Sequence, residues 1–248
     1  MSRLKAILFD IDDTLFSTTE FAARARRNAV RAMIQGGINL PEDQVYRELK
    51  EVIAEFSSNY EHHYDKLLMR LPPEALGAHN PALVVAAGVV AYHDTKFEEL
   101  EPFDDVAPLL QALRSAGIVT GIVTHGWTTK QAEKLIRLQL MSLLTPSAIF
   151  ISEQVGISKP NPKLYLTALR QLGLEAKQVM YVGDNLVNDI APPQGLGMRT
   201  TWSRRAAHPG PNIDQFHPDH VVDNFRELGQ ILRTEYDIPL HAEYATED

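Results

Sequence analysis

Cysteine is missing from all 248 residues. Its absence excludes disulfides, thiolate catalysis and cysteine-bound zinc, and is compatible with a reducing compartment. No apolar run approaches the roughly 20 residues that span a bilayer. The opening MSRLKAILFDIDD breaks its short apolar stretch with acid, unlike a signal peptide, so a cytoplasmic chain with no membrane partner is expected. Basic charge is in deficit: 24 Lys and Arg stand against 32 Asp and Glu, a formal net charge of −8. A nucleic-acid binder needs a basic face, so no such partner is expected. Internal repeats and low-complexity segments are absent too.

What the chain does have is an ordinary globular balance, with 44% hydrophobic and 23% charged residues, enough for a large core. Short apolar runs stop abruptly at polar residues: AILFD (6–10), IVTGIVT (118–124), AIFIS (148–152), VMYVGD (179–184) and HVVD (220–223). Such runs suit strands buried on both faces of a parallel sheet. Helical spacing separates them in VAPLLQALRSAG (106–117), which ends on Gly117, in TTKQAEKLIRLQL (128–140), with Thr128 and Gln131 as a candidate cap, and in NPKLYLTALRQLG (161–173). The alternation predicts an α/β fold, a doubly wound parallel sheet of Rossmann-like type.

Residues 17–98 break that rhythm. They contain no convincing strand and read as helices, with Ser17 and Glu20 as a candidate capping box and Gly36-Gly37 and Leu71-Pro72-Pro73 as punctuation. The block is too long for an ordinary connection. It is expected to form a smaller all-helical cap domain, with hinges near Phe16–Thr19 and Glu98–Pro102. The sheet domain then comprises 1–16 plus 99–233, and 234–248 is an acidic tail.

In open parallel sheets, ligands sit beyond the carboxyl ends of the strands. Those ends carry Asp10, Thr124, Ser152 and Asp184. Asp10 and Asp12 are two apart, so an extended backbone points both the same way. Asp189 follows Asp184 in the turn GDNLVND, Lys159 lies in GISKPNP, and Thr124 and His125 precede a helix whose N–H groups face an anion. Clustered carboxylates repel one another unless a cation lies among them. Asp10, Asp12, Asp184 and Asp189 make an oxygen-rich site suited to Mg²⁺, and the ion would draw in a phosphate that meets Lys159 and the helix start.

These residues resemble the haloacid dehalogenase superfamily of phosphatases. Asp10-Ile11-Asp12-Asp13-Thr14 matches its Asp-x-Asp-x-Thr motif, IVTHG its strand ending in Thr, Lys159-Pro160 its Lys before Pro, and Gly183 to Asp189 its Gly-Asp-x₄-Asp. All four occur in the family's order, and the helical block falls where the family often inserts a cap. The resemblance implies a Mg²⁺-dependent phosphomonoester hydrolase acting on a small phosphorylated metabolite. Asp10 would be the nucleophile, and Asp12 the acid/base that offers the metal its backbone carbonyl. Asp10, Asp184 and Asp189 would hold the metal, and Thr124, the His125 amide and Lys159 the phosphate. Position 125 departs from the pattern, with His where many relatives carry Asn. Pro192-Pro193 departs where relatives begin a helix.

Phosphomutase, phosphonate hydrolase and non-catalytic phospho-acceptor activities use related chemistry and stand as alternatives; Lys50 and Lys66 in the cap bear on a Schiff-base variant. A monomer or homodimer is expected. His62, His63, His217 and His220 read as ordinary histidines. Arg24, Arg27 and Arg31 share a helical face, either solvated or selecting an anionic substrate.

Overall fold

The computed structural model describes residues 3–57, 60–207 and 213–240. It divides into two compact units. One takes the chain up to Thr18 and again from Glu101; the other is Thr19–Leu100.

The first unit is built on six parallel strands, β1 (Ala6–Phe9), β2 (Val119–Thr124), β3 (Ile149–Ile151), β4 (Val179–Gly183), β5 (Arg199–Ser203) and β6 (His220–Val222), in the order β3-β2-β1-β4-β5-β6. β1 and β4 are buried throughout, as continuous apolar runs require in a doubly covered sheet. β1 pairs with both neighbours in step: Phe9 lies opposite Ile122 on one side and Val182 on the other. The chain winds outward from β1 to β3, then restarts at β4 and winds the other way. The strand order therefore reverses between β1 and β4, where ligands bind in such sheets.

β5, sequence RTTWS, lies outside the five expected strands. It carries no apolar run, and its buried threonine hydroxyls find partners on neighbouring segments: Thr200 Oγ1 donates to Asp219 at 3.1 Å, and Thr201 Oγ1 lies 3.3 Å from the Met180 sulfur.

The flanking helices bury their apolar stripes. α5 (Val106–Ser115) covers Val106, Leu109, Leu110 and Leu113, and the chain turns at Gly117 with φ +73°. α6 (Thr128–Arg137) begins after Trp127 with no side-chain cap; Thr128 donates its N–H to Glu153 instead, and Gln131 turns inward. The expected Thr128 cap is thus not used. After the short α7 (Ser152–Val155), α8 (Pro162–Leu172) is capped by Asn161, which accepts from Lys163 N, and ends at left-handed Gly173. A π-helical turn, Leu186–Ile190, runs into the short α9 (Ala191–Gly195), so Pro192-Pro193 sit inside a brief helix rather than ahead of a long one. α10 (Phe225–Glu235) closes the unit, and Ile238 and Leu240 beyond it are buried. The rest of the expected tail, 241–248, lies outside the described residues.

The second unit is helical: α1 (Thr18–Gln35, its first residue belonging to the sheet unit), α2 (Glu42–Phe56), α3 (His63–Arg70) and α4 (Pro81–Glu99). Its own core includes Val30, Met33, Val45, Leu49, Leu67 and Val84. Gly88 lets α4 approach Met33, where an added Cβ would come within 2.8 Å of the side chain. Arg24 pairs with Glu99, Arg27 with Glu42 and Asp43, and Arg31 with Glu42. These arginines are matched by acids of their own unit. Among the described residues, no helix is long and apolar enough to cross a membrane.

Candidate active site

At the carboxyl end of β1, Asp10 is almost fully buried, and its N–H donates to Val182 O of β4 at 2.9 Å. Asp189, on the π-helical turn after β4, is 1% exposed and accepts the Asn185 N–H at 3.0 Å. Asn185 caps that turn, accepting from Val187 N and Asn188 N. Gly183 makes the approach feasible, since a Cβ there would lie 2.5 Å from the Asp189 Cβ and Cγ. One carboxylate oxygen each from Asp10, Asp184 and Asp189 lies within 4.8 Å of the others. Among the described residues, no other group of histidines and acids converges in this way.

Lys159 Nζ reaches into this cluster. It donates to Asp10 Oδ1 at 2.7 Å, Asp189 Oδ1 at 2.6 Å and the Tyr181 hydroxyl at 2.8 Å, using all three of its donors. The Tyr181 hydroxyl in turn donates to Val123 O at 2.7 Å, tying β4 to β2 across the end of β1. The Lys159-Pro160 peptide is cis.

Burial resists charge here, and the acids repel one another. Burial pushes the Asp10 carboxyl up to about 6, with Lys159 opposing and Asp189 and Asp12 reinforcing the rise. Asp184 is pushed up to about 8 by burial and then by Asp189, Asp10 and Asp13. Burial works against the Lys159 charge as well, but Asp10 and Asp189 outweigh it and hold the ammonium well above its ordinary range. Three crowded carboxylates with a single ammonium have room electrostatically for a hard divalent cation, and an all-oxygen donor set suits Mg²⁺.

Asp12 belongs to a different set of contacts. Its carboxylate is not one of the three that converge. It accepts from Lys134 Nζ at 2.6 and 2.7 Å, from Gln131 Nε2 at 3.1 Å and from Thr18 Oγ1 at 2.7 Å. Burial favours protonation, but Lys134, Thr18 and Gln131 outweigh it and hold the carboxyl below its usual range.

Thr124 and His125 lie at the end of β2. The Thr124 hydroxyl is fully buried with no hydrogen-bond partner among the described residues, as is that of Thr14. The His125 ring sits 2.5 Å from the Ser158 hydroxyl, next to Lys159, and its carbonyl accepts from Gln131 Nε2 at 2.7 Å. Ser152 Oγ accepts the Gly126 N–H at 2.9 Å, joining the start of α7 to the same loop. Elsewhere, His220 lies 2.7 Å from the Tyr236 hydroxyl and His63 lies 2.7 Å from Ser57 O.

Sequence reading missed Tyr181, Lys134, Thr18 and the inward role of Gln131. Tyr181 is hidden in an apolar strand and Lys134 in an amphipathic helix. The detectable signal was Gln131 and Lys134 at i,i+3, polar on the side of α6 that also buries Leu135.

A family model described as a hydrolase, haloacid dehalogenase-like hydrolase, matches residues 4–197. A glyceraldehyde 3-phosphate phosphatase of Methanopyrus kandleri is 45% identical over 234 residues, spanning 93% of this chain and 97% of that protein. One from Pyrococcus furiosus is 37% identical over 95% of each chain. The crystal structure of a HAD phosphatase from Thermococcus onnurineus has a TM-score of 0.63 and 23% identity, covering 92% of this chain and 98% of that one; at that identity the likeness speaks for the fold. The chain belongs to the haloacid dehalogenase-like hydrolases, as a phosphatase of that family.

Proposed function

We propose that this phosphatase hydrolyses a short phosphorylated aldehyde, glyceraldehyde 3-phosphate, with Mg²⁺ and through an aspartyl-phosphate. The observation that carries the chemistry is Asp10, a buried carboxylate at the sheet's switch point, beside Asp184, Asp189 and Lys159. The substrate is supported by the relatives of that name across nearly the whole chain.

In this reading an Asp10 oxygen attacks phosphorus and forms the P–O bond as the bond to the substrate's oxygen breaks. Asp12 gives its proton to that leaving oxygen, then takes one from the water that attacks the phosphoenzyme, releasing phosphate and restoring Asp10. Asp12 as seen, paired with Lys134, is the base form. Asp10, Asp184 and Asp189, with the Asp12 backbone carbonyl, would hold Mg²⁺, which when bound offsets negative charge on the phosphoryl group. Lys159, by releasing one of its three present bonds, and the Thr124 hydroxyl donate to phosphoryl oxygens, as does the His125 amide. A buried hydroxyl without a partner costs about 1–3 kcal/mol, and a phosphate oxygen would relieve it.

The test is phosphate release from glyceraldehyde 3-phosphate with Mg²⁺, with EDTA and in Asp10→Asn. Metal-dependent release that Asp10→Asn abolishes, with an unchanged circular dichroism spectrum, is expected. Substantial turnover by the folded variant would sink the mechanism. Rapid p-nitrophenyl phosphate hydrolysis without action on the aldehyde would sink the substrate.

A further inference from the structure

We propose that Lys134, with Gln131 one helical turn before it, is the positioning residue of the acid/base carboxylate. The inference rests on the reading of Asp12 as acid/base. Lys134 spans both oxygens of Asp12, at 2.6 and 2.7 Å. Thr18 adds one bond to Oδ1 and Gln131 one to Oδ2. A carboxylate has about four lone-pair sites, so these four bonds fix its rotamer in the base form, and one of them gives way when Asp12 carries the proton. Lys134 supplies two of the four bonds and the only positive charge among these donors.

Gln131 shows that the arrangement is directed at Asp12. It is 4% exposed, and its Nε2 is shared between Asp12 and His125 O while its buried Oε1 has no partner among the described residues. An amide serving only the helix would have no reason to leave its buried oxygen unsatisfied. The same Nε2 lies 2.6 Å from where a Cβ of Gly126 would stand, so the loop after β2 is shaped around it. α6 therefore presents two side chains at i,i+3 to one carboxylate. Without Lys134, two single bonds from neutral donors remain, and the carboxylate is free to turn. Proton transfer tolerates little such freedom, since misplacement by about 1 Å can cost on the order of 10²-fold.

The experiment uses the full-length enzyme with Mg²⁺ and compares Lys134→Met with wild type on two esters. Glyceraldehyde 3-phosphate expels an alkoxide that needs a proton; p-nitrophenyl phosphate expels an anion that does not. Comparing kcat/KM isolates the half-reaction in which the leaving group departs. Lys134→Met is expected to lose about 10²-fold on the alkyl ester, within the range of acid/base catalysis, and less than tenfold on the aryl ester. Lys134→Arg should recover most of the loss. A merely structural lysine would lower both esters alike. Equal losses, or none, overturn the inference. Lys134→Gln carries the same comparison if the Met variant does not fold. Asp12→Asn separates the two levels. If it lacks the alkyl-selective loss, the acid/base reading itself fails. If it shows that loss and Lys134→Met does not, only the inference fails.

Discussion

Lys159 Nζ lies 2.7 Å from Asp10 Oδ1, although 149 positions separate the two in the chain. The same nitrogen holds Asp189 at 2.6 Å, and both ion pairs are almost completely shielded from water. Charges in such a place depend on one another, because removing one partner leaves the others unpaired and desolvated.

Lys159→Met should therefore be costly in two ways. Loss of the donor proposed for the phosphoryl oxygens should lower kcat on the order of 10²–10³-fold. The unpaired carboxylates should cost about 3–5 kcal/mol of stability without metal. Added Mg²⁺ should raise the melting temperature of the variant more than that of the wild type, because binding stabilises the folded state by mass action. Thermal melts in EDTA and in Mg²⁺ read this directly, and equal shifts would contradict it.

Gly183→Ala tests the tight turn. An added methyl would stand 2.5 Å from Asp189 Cβ, so the Asp189 carboxylate must move. The Mg²⁺ concentration for half-maximal activity should rise about 10–100-fold, a typical price for disturbing the surroundings of a metal. A titration that overlays the wild type would show that Asp189 does not help hold the ion.

Tyr181→Phe removes one hydroxyl and strands two buried partners, the Val123 carbonyl and one N–H of Lys159. Each stranded group costs about 1–3 kcal/mol. Urea denaturation should show a loss of about 2–6 kcal/mol for the two groups together, with the circular dichroism spectrum unchanged. A neutral substitution would mean that water replaces the hydroxyl.

Asp219 gives a prediction in pH. Burial favours its neutral form, but bonds from the Thr200 N–H, Arg199 and the Thr200 hydroxyl outweigh it and hold the carboxyl below its ordinary value. A depressed folded pKa adds stability above the unfolded value of about 3.9. That contribution fades as pH falls through the folded pKa. Asp219 is exposed and solvent screens these bonds, so Asp219→Asn should be less stable at pH 7 by about 0.2–1 kcal/mol. The gap to wild type should narrow below about pH 4. A gap that is constant from pH 7 to 3 would exclude the linkage.

The parallel sheet was legible because β1 and β4 are buried on both faces and so are written as unbroken apolar runs ending in acid. β5 was not, because its buried threonines are satisfied by Asp219 and Met180, partners the local sequence does not reveal. The carboxylates Asp10, Asp184 and Asp189 could be named in advance, since strand ends in such a sheet share one rim. The surroundings of Asp12 could not. Lys134 stands 122 residues away, on a helix whose pattern looked complete as an amphipathic surface element. Long-range partners of this kind leave no periodic trace. The Thr128 cap was misread for a related reason, because Glu153 of α7 takes the N–H that the local pattern assigned to a capping bond.

The Phe103 N–H donates to Leu15 O at 2.9 Å, so the chain leaves the sheet unit and re-enters it at one stapled point. In genetic terms, the helical segment Thr19–Leu100 is a cassette. Its two ends are already held together by the host, so replacing it need not reopen the sheet or its catalytic rim. A protein engineer can splice at the same seam.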